Sequence, residues 1–138
     1  EYYYLEMEFC SGGNLKNKGL LQVLGYFHSQ KIAHRDIKPE NIVIDSYNHV
    51  KLGNFGLYNK LSEDELGHVK WGSLMFFSPE ILAKTNYDPF KSDIYSLGIT
   101  FFYLATGKYP FSSSTSKKLK ELLIYGQIDL NIDPKIHY

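Results

Sequence analysis

Apolar residues along the 138-residue chain fall into a few patterns, each predicting an element. Tyr2-Tyr3-Tyr4-Leu5-Glu6-Met7 is aromatic-rich and predicts a strand, and Gly12 and Gly13 predict the turn after it. Leu20, Leu21, Val23, Leu24 and Phe27 recur at three-and-four spacing, so a short amphipathic helix is expected there, ending near His28 and Ser29. Ile42-Val43-Ile44-Asp45 and Val50-Lys51-Leu52 flank Ser46-Tyr47-Asn48-His49, the pattern of a β-hairpin. Residues 93–106 are apolar on nearly every side, which predicts a buried helix begun at Ser92-Asp93 and stopped by Gly107 and Pro110. A further amphipathic helix is expected over 117–125, with Leu119, Leu122 and Leu123 on one face and Gly126 at its end, and 129–138 reads as irregular. The sum is an α+β chain, mainly helical with one small hairpin.

Composition narrows this picture. With 43% hydrophobic and 16% aromatic residues the chain is globular, and its length suits one domain. The formal net charge is zero, which removes any broad electrostatic case for nucleic-acid or membrane-surface binding. Cys10 is the single cysteine and cannot form an internal disulfide, so a reducing compartment is expected. No basic-then-apolar leader stands at Glu1, and the longest apolar run, 97–105, is about half of what a bilayer needs. A cytoplasmic location is expected, with the nucleus also open.

The chemistry concentrates in His34-Arg35-Asp36-Ile37-Lys38-Pro39-Glu40-Asn41, which lies between the first helix signal and the hairpin. Alone, it reads as a surface loop with a salt-bridged Arg-Asp pair. Together with the motifs farther along the chain, it resembles the catalytic loop of the protein kinases, His-Arg-Asp with an asparagine five positions after the aspartate. The resemblance implies that Asp36 orients the substrate hydroxyl and that Asn41 holds one of two Mg2+ ions on ATP. A lysine at the position of Lys38 is the serine/threonine form, set against the transferred phosphate. The implied fold is the large kinase lobe plus the hinge and last strand of the small lobe. Residues 1–15 would be that strand and hinge, and 16–138 the large lobe. On this match Met7 guards the back pocket, Glu8 and Cys10 offer main-chain hydrogen bonds to adenine, Asn14 lies near the ribose and Val43 packs under the adenine ring. As a plain core valine, Val43 would satisfy the same pattern.

Several positions depart from the family pattern. Gly53-Asn54-Phe55-Gly56 carries asparagine thirteen residues after Asn41, where the family has the aspartate of Asp-Phe-Gly. That aspartate is an anionic Mg2+ ligand, and a neutral amide is a poor substitute for a hard cation, so weak or absent turnover is expected. Residues 58–80 resemble the activation segment and its closing Pro-Glu element, and the 26-residue spacing from Asn54 to Glu80 is similar to that of the calmodulin-dependent and AMP-activated kinase group. Ser73 is then expected beside Asp36 and Lys38. Val69 stands where that group has a phosphorylatable threonine. Arg35, whose motif counterpart meets that phosphate, is left with Glu63, Asp64 and Glu65 as a permanent counter-charge, unless those acids form a solvated loop face. Asp93 is expected to hydrogen-bond the catalytic-loop backbone, and Glu80 to lack a buried partner, which is costly if it stays dry.

Other features are missing from the pattern. Only 20 residues separate Gly13 from His34, room for about half of one long helix, where the family has two helices. The Gly-rich phosphate loop, the strand lysine and its glutamate partner are not in the sequence. Three readings are open: an active serine/threonine kinase seen in part, a pseudokinase kept for binding or scaffolding, and a truncated product that hardly folds. The cofactors implied are ATP and Mg2+. The implied partner is a protein with a serine or threonine acceptor, with further proteins docking on the large lobe and neither nucleic acid nor membrane expected.

Overall fold

The computed structural model describes residues 17–54 and 71–126. Helix α1 spans Asn17–Ser29. Leu20 and Leu24 on one face are fully buried, with Val23 and Phe27 half-buried beside them. Leu21 does not join this stripe and is 53% exposed. One residue on from Leu20 is a turn of about 100° around the helix, which carries a side chain off the buried face.

The predicted hairpin forms from β1, Ile42–Ile44, and β2, Val50–Leu52, antiparallel with Ile42 opposite Leu52 and Ile44 opposite Val50. Asp45 ends the first strand and organises the turn. Its Oδ1 accepts from the N–H of Tyr47 at 2.9 Å and of His49 at 2.8 Å. Asn48 takes the left-handed conformation there, φ 64°, a region asparagine tolerates. Helix α1 lies directly on β2. A Cβ on Gly19 would meet Val50 Cγ2 at 2.9 Å, so only a residue without a side chain permits this approach. Leu20, Leu24, Ile37, Val50, Leu52 and Leu97 close over one another as the first apolar cluster.

Two single turns come next, α2 at Trp71–Leu74 and α3 at Pro79–Leu82, in a stretch for which the apolar pattern predicts no helix. Helix α4 runs over Pro89–Thr106. It starts three residues earlier than Ser92-Asp93 suggests, because Asp88 is the cap: its Oδ1 accepts from the N–H of Phe90 and Lys91, and Pro89 occupies the first turn. Asp93 therefore sits inside the helix, where its carboxylate has no capping duty. Gly107, φ 66°, ends the helix in the left-handed conformation and donates to Tyr103 O. The helix is not buried all round: Ile94 and Leu104 are exposed on its outer side.

Helix α5, Ser116–Tyr125, packs on α3. Leu119 and Leu123 join Phe77, Leu82 and Phe111 in a second apolar cluster. Among the described residues, no helix is long and apolar enough to cross a membrane. The strand expected at 2–7, the hinge residues Met7, Glu8, Cys10 and Asn14, Phe55, Gly56, the acids at 63–65, Val69 and the segment 129–138 all lie outside the described residues.

Candidate active site

The site is built on one buried carboxylate. Asp93, in the second turn of α4, is fully buried. Its Oδ2 accepts from the His34 N–H and its Oδ1 from the Arg35 N–H, each at 2.7 Å. Arg35 has a φ of 69°, and this left-handed residue lets two consecutive N–H groups face the same anion. His28, at the end of α1, adds a third bond from Nε2 to Asp93 Oδ2 at 2.9 Å. A buried charge is tolerated when it is met by donors in this way. Asp93 thus ties α1, α4 and the loop together.

His34 continues the chain of bonds. Its Nε2 lies 2.8 Å from Gly53 O, a pure acceptor, so Nε2 carries the proton and Nδ1 accepts from the Asp36 N–H at 3.3 Å. The loop is thereby bound to the end of β2. Sequence reasoning takes His34 only as part of a motif, and it misses His28, whose spacing from Asp93 gives no signal in a linear pattern.

Asp36, 8% exposed, presents Oδ2 to Lys38 Nζ at 2.9 Å and to Asn41 Nδ2 at 2.7 Å. Lys38 Nζ also reaches Ser73 Oγ at 3.4 Å, bringing α2 to the loop. Asn41 closes a short 3-10 turn, Pro39–Asn41, and is buried; its Nδ2 donates a second time to Asp36 O at 2.7 Å. Gly53 N–H donates to Asn41 O at 2.8 Å, and Asn54 Nδ2 donates to Asn41 Oδ1 at 2.7 Å. Asp36, Lys38, Asn41, Asn54 and Ser73 are therefore one connected network.

Other expected positions stand apart from it. Val43 is half-buried in β1, paired across the hairpin with Lys51. Arg35 is exposed. Glu80 is exposed as well, so the cost of an unpaired dry charge does not arise. Its negative charge adds to burial in pushing the Tyr95 phenol above its usual range.

Among the described residues, no group of three or more His, Cys, Asp or Glu side chains is arranged to hold a metal ion. The Mg2+ that the loop motif implies would draw on Asn41 and Asn54. As they stand the two amides do not fit a divalent cation: Asn54 turns its N–H rather than an oxygen toward Asn41 Oδ1, and neither side chain carries the negative charge that a hard cation favours.

The protein kinase domain family model matches residues 16–136. The chain belongs to that family, whose members use ATP and Mg2+ and act on proteins. Sperm motility kinase 3A of Mus musculus is 33% identical over 144 residues, covering 92% of this chain and 29% of that protein. Serine/threonine-protein kinase kin-29 of Caenorhabditis elegans is also 33% identical, over 92% of this chain and 18% of its own length. Mitosis inducer protein kinase cdr2 of Schizosaccharomyces pombe is 38% identical over 157 residues, with all of this chain and 20% of that protein covered. The chain thus spans between about a fifth and a third of these relatives.

Proposed function

We propose that this chain carries the catalytic loop of a serine/threonine protein kinase, transferring the ATP γ-phosphoryl group to a protein serine or threonine slowly or not at all. The observation that carries the reading is the Asp36–Lys38–Ser73 array. A largely buried carboxylate beside an ammonium can orient a hydroxyl and balance charge on a phosphoryl group within one hydrogen-bonding radius. In this reading Asp36 accepts from the substrate hydroxyl, Lys38 faces the transferred group, and Asn41 fixes the Asp36 carboxylate. Glycine-serine at 72–73 and the spacing to Glu80 support membership of the calmodulin-dependent and AMP-activated group. Met7, Glu8, Cys10, Asn14 and Val43 are proposed to receive the nucleotide.

Slow transfer is expected from Asn54, which puts a neutral amide where an anionic ligand is needed. The same residue favours a second reading, a pseudokinase kept for binding, because the Asn54–Asn41 bond is complete without a cation. Transfer of labelled phosphate from Mg-ATP to a serine peptide tests the choice. The expected rate is well below about one per second, rising by roughly a hundredfold or more in Asn54→Asp and abolished when Asp36→Ala is added. No gain in Asn54→Asp leaves the pseudokinase reading. Fast wild-type turnover that Asp36→Ala removes overturns the slow one.

A further inference from the structure

The amides of Asn54 and Asn41 meet at the edge of the catalytic loop, and the groups behind them fix the direction of their bond. Asn41 Nδ2 has two partners, the Asp36 carbonyl and carboxylate oxygens, each at 2.7 Å. Both only accept, so the amide nitrogen must face them and Oδ1 must face away. Asn54 approaches that oxygen at 2.7 Å. Such an oxygen is met by a donor or by a cation, never by a second oxygen, so Asn54 presents its NH2. Turning either amide over would set oxygen against oxygen. The backbone is consistent with this arrangement. Asn54 has a φ of 59°, which asparagine adopts more readily than most residues, and the neighbouring Gly53 N–H is bonded to Asn41 O.

We propose that Asn54 is a positioning residue whose N–H occupies the cation position on Asn41 Oδ1, fastening the loop to the end of β2 without metal and excluding Mg2+. The proposal rests on the kinase reading only for the choice of cation. Its chemistry is a competition for one oxygen. A hard, strongly hydrated cation gains little from two neutral amide oxygens, and to reach them it must first break the amide–amide bond. A carboxylate at this position reverses the balance. Oxygen would then face oxygen in the absence of metal, and a divalent ion bridging the two would relieve it.

The test needs neither nucleotide nor catalysis. The full chain, wild type and Asn54→Asp, is titrated with Mn2+ followed by electron paramagnetic resonance, and its thermal unfolding is recorded in EDTA and in millimolar Mn2+. Any Mn2+ held elsewhere, for example at Asp45, contributes equally to both forms. Wild type is expected to unfold at the same temperature with and without metal. Asn54→Asp is expected to unfold earlier in EDTA, to recover in Mn2+, and to bind Mn2+ at least about tenfold more tightly. Asn54→Gly suits the backbone and removes the amide, so it should unfold earlier in EDTA and gain nothing from Mn2+. Folding of Asn54→Asp only when Mn2+ is present supports the proposal equally. Failure to fold under both conditions, Mn2+ affinities that match in the two forms, or a wild-type unfolding temperature raised by Mn2+ as much as that of Asn54→Asp overturns it.

Discussion

The two apolar clusters are similar in size but differ in their surroundings. The first, under the loop 34–41, borders a set of buried polar side chains that includes His34, Asp36, Asn41 and Asp93. The second, between α3 and α5, is Phe77, Leu82, Phe111, Leu119 and Leu123, with more leucine, isoleucine and methionine packed around it. Directional bonds fix geometry and are costly to leave unmade, whereas dispersion contacts tolerate exchange when volume is kept. The first region should therefore be brittle to small chemical changes and the second tolerant of them. Under the kinase reading proposed above, this would suit their tasks, since a phosphoryl-transfer loop depends on atoms held to fractions of an ångström and a buttress does not.

The largest effect expected is at Asp93. Replacing it with alanine removes the acceptor of two loop N–H groups and of His28. Stranding buried donors costs ~1–3 kcal/mol each, and three donors lose their acceptor here, a large share of the ~5–15 kcal/mol that stabilises a typical domain. Denaturant unfolding should show Asp93→Ala to be unfolded or nearly so, and Asp93→Asn, which keeps one acceptor oxygen, to be intermediate. A loss below about 1 kcal/mol in Asp93→Ala would break the contrast, since a buried side chain with three partners would then be dispensable.

The second cluster gives the matching measurement. Leu119→Ala should cost ~2–4 kcal/mol through lost burial and the cavity left, while Leu119→Met should cost less than ~1.5 kcal/mol because volume is conserved. No conservative exchange at Asp93 should be so mild. If Leu119→Met and Asp93→Asn prove equally tolerated, the two regions do not differ in the way argued.

The same division separates the features legible in the sequence from those that are not. Periodicity finds α1, the hairpin and α5 nearly to the residue, because burial of an apolar face is a local signal. It errs where the signal is rotational or depends on a partner. Leu21 and Leu104 fit the apolar pattern by composition, yet each faces away from its cluster. Ser92 and Asp93 are both capping types and suggest the start of α4, whereas Asp88 with Pro89 makes the cap and releases Asp93 for the loop. Motif resemblance brings Asp36, Lys38, Asn41 and Ser73 to attention, residues that do lie together. It gives no warning that Asn54 and Asn41 bond directly, because that depends on which atom of each amide faces which.

The smallest effect expected is a pH dependence at the tip of the hairpin. Asp45 lies at the edge of the polar region, with its carboxylate buried while Tyr47 and His49 around it are exposed. The His49 N–H, against the opposing pull of burial, holds this carboxyl below its ordinary value of 3.8, helped by the Tyr47 N–H and the His49 ring. A folded value below the unfolded one means that the unfolded chain binds the proton more readily. The contribution is therefore complete above about pH 4, and it disappears as the pH falls through the depressed folded value. From this group alone, stability should be flat through neutrality. Asp45→Asn keeps one acceptor for the turn and cannot ionise, so it should lose a little stability at neutral pH and have a shallower acid decline than wild type. Unfolding midpoints of both forms between about pH 2 and pH 6 give the difference directly, with the other acids cancelling. A difference that stays constant across that range would remove Asp45 from the polar framework. The hairpin turn would then be held by its backbone bonds alone, and the brittle region would end at the strands.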